Sequence, residues 1–296
     1  MAGLQDIRRR IRSVKNTQQV TKAMKMISAV KLRKSQERLV SLRPYAGKMK
    51  DVVLRVVAGV KARPELVLGA AALAFISPRE EKAIRVLLIA SDKGLCGGFN
   101  ANILKKAAAF LEEKGKDTVR VENVGKRAHD FTKRRGYTST GEHLGVPLQG
   151  LEKVAREVSV EAARQYQAGE IDALYVVYNH FTSAVAQEPT IVKIFPVELA
   201  GQPAVAGIAG STEVPHLLEP DANTILESLL PRFVEIEVLR ALLESSASEH
   251  GARMAAMDKA SNNAGDMIAK LTLTMNKIRQ ASITNQIIEI VSGANA

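Results

Sequence analysis

Apolar positions at both ends of the chain recur at helical spacing over long distances. Leu4, Ile7, Ile11 and Val14 alternate steps of three and four, the seam of a coiled coil. The seam weakens at Gln18 and Thr21 and is expected to resume in shifted phase at Val20, Ala23, Ile27 and Val30. No proline or glycine interrupts Leu4 to Arg43. Pro44 is expected to kink or end this helix, while Met49, Val52, Val53, Val56 and Val57 indicate that helix continues beyond it. A second long helix is predicted from Asp221, whose side chain suits an N-cap. Its seam reads as Met257, Ala260, Ala264, Met267, Leu271, Thr274, Ile278 and Ala281. Small residues such as Ser245, Ser246, Ala247 and Ala252 permit close helix approach. Gln18, Thr21, Asn262 and Asn263 dilute the seam, and polar residues buried there fix register at some cost in stability.

A helix of about 60 residues spans roughly 90 Å at 1.5 Å per residue, wider than an ordinary domain core. The two terminal helices are therefore expected to run antiparallel and to protrude together from a compact body.

The period changes in the middle of the chain. Ile84–Ala90 is a continuous apolar run that reads as a buried parallel strand. Further strands are predicted at Thr118–Val124, Ile171–Tyr178 and Thr190–Val197. Helices are predicted from the glycine-rich loop to Lys114, over Lys126–Arg135, and over Leu148–Gln167 with Gly169 as its stop. The alternation argues for an open α/β sheet of Rossmann-like type. The organisation reads as an N-terminal shaft helix over 1–58, a linker over 59–82, the α/β domain over 83–200, a Gly/Pro-rich loop over 201–220 and a C-terminal shaft helix over 221–296.

Composition adds one asymmetry. The formal net charge is +11, and residues 1–50 alone contribute +12. The basic first helix therefore suits an acidic protein surface, an anionic membrane or nucleic acid. Aromatic stacking residues are missing from residues 1–44, which weakens the nucleic-acid reading. The single Cys96 cannot form an internal disulfide, so a reducing compartment is expected and a cysteine-based metal site is excluded. The longest strongly apolar run, Leu66 to Ile76, is well short of the roughly 20 residues that span a bilayer.

The candidate chemistry centres on Ser91–Asn100 (SDKGLCGGFN), which follows a strand and opens a helix as phosphate-cradling loops do. Gly94, Gly97 and Gly98 do not fit G-x-G-x-x-G, and there is no P-loop. A tight strand-to-helix turn is the simpler reading, with a nucleotide-binding enzyme as the alternative. His129, His143, His180, His216 and His250 form no spaced cluster that would serve a Cys96 thiolate or a metal.

Three segments carry a resemblance: IRRRIRSVKNTQQVTKAMKMISAVKLRKSQ at 7–36, SDKGLCGGFN at 91–100, and ASEHGARMAAMDKASNNAGDMIAKL with NKIRQASIT at 247–284. In order and in detail they resemble the gamma subunit of F-type ATP synthases of bacterial type. The resemblance implies an antiparallel coiled coil of the terminal helices plus a central Rossmann-like domain. It implies a central rotor stalk that couples rotation of the membrane c ring to catalysis on a hexamer of alpha and beta subunits. No cofactor, metal, nucleic acid, small-molecule substrate or catalytic residue of its own is implied. The implied partners are the alpha and beta subunits, the epsilon subunit and the c ring, on the cytoplasmic side of the bacterial inner membrane. By motif, Met24 resembles a residue facing an acidic loop of the beta subunit, with Lys22 and Lys25 beside it. Arg279, Gln280 and Thr284 resemble contacts with beta loops higher on the shaft, and Glu219 the foot near the c ring and epsilon. The family usually has glutamate where this chain has Gln286.

Overall fold

The computed structural model describes residues 3–61, 69, 75, 77, 79–197 and 221–294. The expected linker over 59–82 falls largely outside these residues, and the expected loop over 201–220 and Glu219 lie wholly outside them. The described elements are α1 (Leu4–Lys61), β1 (Ile84–Ile89), α2 (Phe99–Lys114), β2 (Val119–Val124), α3 (Lys126–Arg135), β3 (Thr138–His143), a 3-10 turn at Leu148–Gly150, α4 (Leu151–Gln167), β4 (Ala173–Phe181), β5 (Gln187–Phe195) and α5 (Ala222–Ala294). Long terminal helices thus flank a central mixed sheet, as the residue pattern predicts. The chain divides into two compact units, residues 31–252 and residues 1–30 with 253–296.

In the larger unit the sheet order is β3-β2-β1-β4-β5. β1 pairs in parallel with β2 and β4, β2 pairs in parallel with β3, and β5 runs antiparallel to β4. The short β4–β5 connection enforces that reversal, because a parallel return needs a long crossover. β1 is buried at every position, which explains its unbroken apolar run. Ile84, Val86 and Leu88 face α2 and α3 through Ile103, Ala107, Leu111, Ala128 and Phe131. Leu87 and Ile89 face the opposite way, into a core with Val154 and Val158 of α4, Val53 and Val57 of α1, and Leu226 and Leu230 of α5. Each such side chain contributes about 1.5–3 kcal/mol on burial.

β3 escapes the sequence reading. Its TSTGEH sequence is polar and mostly exposed, as an edge strand tolerates. Glycine is required where β2 turns into α3. Gly125 has φ +87, and a Cβ there would lie 2.2 Å from the Ala90 carbonyl oxygen.

Asp221 caps α5 as expected, its carboxylate accepting the Thr224 N–H at 2.9 Å. Pro44 does not end α1, which runs through it to Lys61. Its ring faces solvent. The carbonyl it leaves without a helical partner belongs to Val40, itself 59% exposed and open to water.

In the smaller unit α1 and α5 are antiparallel. Gln18 Nε2 donates to the Ser261 carbonyl at 3.2 Å, and Lys25 Nζ meets Asp258 Oδ1 at 2.6 Å. The expected phase shift does not occur. Val20, Ile27 and Val30 are 58%, 57% and 56% exposed, whereas Thr21 and Ser28 are buried. The original series continues through Gln18, Thr21, Lys25 and Ser28, and on through Leu32, Ser35 and Leu39 within the larger unit. Polar residues are tolerated because they are satisfied locally: Thr21 Oγ1 donates to the Gln18 carbonyl at 2.9 Å. On α5 the expected Met257 and Ala264 are buried, but Ser261 replaces Ala260 as the buried position between them. Met267 is 52% exposed, and Ile268 takes the half-buried place. Asn262 and Asn263 point to solvent rather than into the seam.

Candidate functional site

The residues singled out by motif fall on the coil of the smaller unit. Lys22 is exposed and Met24 is half-buried at the flank of the seam. Lys25 is committed to Asp258 across the coil, with both side chains near half exposure at 44% and 47%. Such an exposed pair contributes at most about 1 kcal/mol and leaves the lysine able to exchange partners. Arg279, Gln280 and Thr284 are exposed on α5. Thr284 Oγ1 returns to the Gln280 carbonyl at 3.0 Å, so its hydroxyl is held to its own helix. Arg8, Arg9, Arg10, Arg12 and Lys15 are exposed on α1. On α5 the outward surface changes character: Ile283, Ile287, Ile288, Ile290 and Val291 are exposed. The coil therefore presents a basic surface from one helix and an apolar end from the other.

The loop Ser91–Asn100 lies at the carboxyl end of β1, where the connection from β1 leads toward β2 and that from β4 leads to β5, in opposite directions along the sheet. Open α/β sheets take ligands in the crevice at that point. Here the crevice is occupied by α5. Ala252 packs against Cys96 and Phe99. Ser248 Oγ donates to the Asn179 carbonyl at 3.1 Å. Gly251 lies so close to the hairpin that a Cβ would sit 3.1 Å from Ala184 Cα. Within the loop, Asn100 Nδ2 donates to Ser91 Oγ at 2.7 Å and to Cys96 Sγ at 3.2 Å. Asp92 Oδ1 accepts the backbone N–H of Lys126 and of Gly145, both at 3.0 Å, tying the loops after β1, β2 and β3 together. The glycines thus serve a tight turn whose polar groups are spent on holding the rim of the sheet. Leu95, with φ 62 and 64% exposure, is the one non-glycine residue at positive φ among the described residues.

A second polar centre was missed by sequence reasoning because its members are scattered along the chain. Arg85 Nη2 donates to Glu122 Oε2 at 2.7 Å, and both side chains are only 5% exposed. Arg85 Nη1 donates to Gln165 Oε1 at 2.7 Å, and His143 Nε2 lies 2.9 Å from Glu122 Oε1. Burial pushes the Glu122 carboxyl up, but the His143 hydrogen bond and the Arg85 charge outweigh it and hold it below the ordinary carboxylate range. Gly141 makes room for this group: a Cβ there would lie 3.1 Å from Glu122 Oε1. The cluster fastens β1, β2, β3 and α4 together.

Comparison with known proteins places this architecture. The family model described as ATP synthase matches residues 3–296. The ATP synthase gamma chain of Solibacter usitatus is 45% identical over 296 residues, covering 100% of this chain and 99% of the relative.

The chain belongs to the ATP synthase gamma chain family.

The gamma chain of Pelotomaculum thermopropionicum is 41% identical with the same coverage. Among solved structures, the central stalk and c ring of the Tetrahymena thermophila mitochondrial ATP synthase contains a chain that superposes with a TM-score of 0.59 at 25% identity, covering 82% of this chain and 99% of that one. A Euglena gracilis mitochondrial assembly shares the fold, with a TM-score of 0.51 at 19% identity. As a gamma subunit, the chain is part of the ATP synthase complex. No helix among the described residues is long and apolar enough to cross a membrane.

Proposed function

We propose that this gamma subunit is the rotor of the central stalk, coupling rotation of a membrane c ring to ATP synthesis and hydrolysis on alpha and beta subunits, without bond chemistry of its own. The supporting observation is the coil of the chain's two ends, whose outer surface is basic along α1 and apolar at the end of α5. A shaft with unlike sides makes different contacts with each of three surrounding catalytic subunits, and differential contact is what biases a neighbour between conformations. Met24, Lys22 and Lys25 are the proposed contacts with an acidic loop of the beta subunit. Arg279, Gln280 and Thr284 are the proposed contacts higher on the shaft. Glu219 is assigned to the foot, where epsilon and the c ring are the partners. The subunit then sits peripherally on the cytoplasmic face of the bacterial inner membrane.

The filled crevice at Ala252, Cys96 and Phe99 favours this reading over a nucleotide-binding enzyme. The test is ATP-driven proton pumping by the reconstituted synthase in vesicles. Met24→Ala is expected to keep appreciable coupled turnover, because torque is shared over many contacts. Met24→Lys, which adds a cation to a surface already carrying Lys22 and Lys25, is expected to impair coupling. Normal pumping by Met24→Lys would remove Met24 from the contact surface.

A further inference from the structure

The larger unit contains a small groove of about 190 Å³ between α1 and α5. Its floor is apolar: Leu39 and Ala46 are buried and Leu42 is half-buried. Gly47 also lines it, and a Cβ on Gly47 would meet nothing within 4 Å. Three cations line the groove, Arg43, Lys50 and Arg240, against one acid, Glu237.

These charges are not equivalent. Glu237 is already neutralised, because Arg240 Nη2 donates to it at 2.6 Å. Arg240 Nη1 is directed to Glu244 Oε1 at 3.4 Å, while its Nε is buried with no hydrogen-bond partner. Arg43 and Lys50 make no ion pair or hydrogen bond among the described residues, although carboxylates line or adjoin the groove. The groove thus combines an apolar floor with two uncompensated cations.

We propose that this groove is a docking site for an acidic segment of a partner protein, seating one large apolar side chain on Leu39, Leu42 and Ala46 with a carboxylate beside Arg43 and Lys50. Size selects a protein side chain over a free metabolite. Pockets for small molecules run to about 300–1,000 Å³, whereas this volume suits one side chain. The charge balance selects an acidic partner, since a basic or neutral segment would leave Arg43 and Lys50 without a counter-charge. The site is separate from the coil surfaces assigned to the beta subunit, and its test takes the proposed assembly as its setting.

Lys50 is its own reporter. Acetylation by an N-hydroxysuccinimide ester, read by mass spectrometry, is compared between the isolated chain and the complete synthase. Lys48, exposed and outside the groove lining, serves as the internal reference. Labelling of Lys50 relative to Lys48 is expected to fall at least tenfold in the complete synthase. Equal labelling in both overturns the proposal. Gly47→Leu, which fills the groove from an open position, is expected to restore Lys50 labelling to the free level, and both it and the Arg43→Glu/Lys50→Glu double variant are expected to release the partner at lower salt. Retention of all subunits by both variants at every salt concentration overturns it. Protection of Lys50 in the isolated chain by decanoate would assign the groove to a small amphipathic anion instead and equally overturn it. Co-purification with alpha and beta subunits is scored in the same preparations. Its loss speaks against the rotor reading, whereas an intact complex with an unprotected Lys50 speaks against the groove alone.

Discussion

Arg85 and Glu122 form an ion pair at 2.7 Å beneath α4, with each side chain 5% exposed. Removing one partner strands the other as a buried charge, which costs about 3–5 kcal/mol. Glu122→Gln and Arg85→Met are each expected to lower the unfolding free energy, measured by urea denaturation, by that much. The double variant Arg85→Met/Glu122→Leu is expected to recover most of the loss. Equal loss in single and double variants would show that the sheet needs the charges themselves.

The acid limb of stability is expected to reflect Glu81. Burial would raise its carboxyl, but hydrogen bonds from Lys114, Tyr175 and Lys193 hold it at about 2, below its ordinary 4.5. A folded-state value below the unfolded one means the group stabilises the fold above pH 4.5. That contribution is lost as pH falls from 4.5 toward 2. Glu81→Gln is expected to be less stable at neutral pH and to show a shallower decline over that window. An unchanged acid profile would remove Glu81 from the account.

Two helical glycines are expected to respond with opposite sign. Gly47 has open space at its Cβ position, so Gly47→Ala should stabilise by about 0.5–1 kcal/mol through the unfolded chain and helix propensity. Gly251 faces the Ala184 backbone, and Gly251→Val should destabilise by about 1–3 kcal/mol because backbone cannot yield as a side chain can. Thermal melts of the two variants decide the matter.

The seam assignment is equally open to test. Ile27→Asp changes an exposed residue and is expected to leave stability within about 0.5 kcal/mol. Leu32→Ala and Met257→Ala empty buried positions, 7% and 5% exposed, and are expected to cost about 2–5 kcal/mol each. A large loss from Ile27→Asp would restore the shifted seam.

Val20, Ile27 and Val30, exposed despite their helical spacing, show that the residue pattern alone does not decide which face forms the seam. Helical spacing reports which residues share a face, not which face meets the partner. The first helix carries two stripes, one with Val20, Ile27 and Val30 and one with Thr21 and Ser28. The second wins because Ser261, Ala264 and Gly265 offer it a shallow surface in the chosen register. The motif residues Lys22, Met24 and Arg279 were nameable from the sequence, since they lie in contiguous segments. The Arg85–Glu122–His143–Gln165 cluster was not, because strand order brings it together across 80 residues.

Local chemistry alone determined much of this molecule. The long helices, the buried β1, the Asp221 cap and the strand-to-helix turn at Gly94–Gly98 follow from periodicity, capping and backbone freedom within a few residues. Tertiary structure decided the rest: the polar edge strand β3, the face of α1 that is buried, the plugging of the crevice by Ala252, and the uncompensated charges of the groove at Arg43 and Lys50. Each depends on which distant segment arrives as neighbour, and burial and pairing energies exist only between segments that have met.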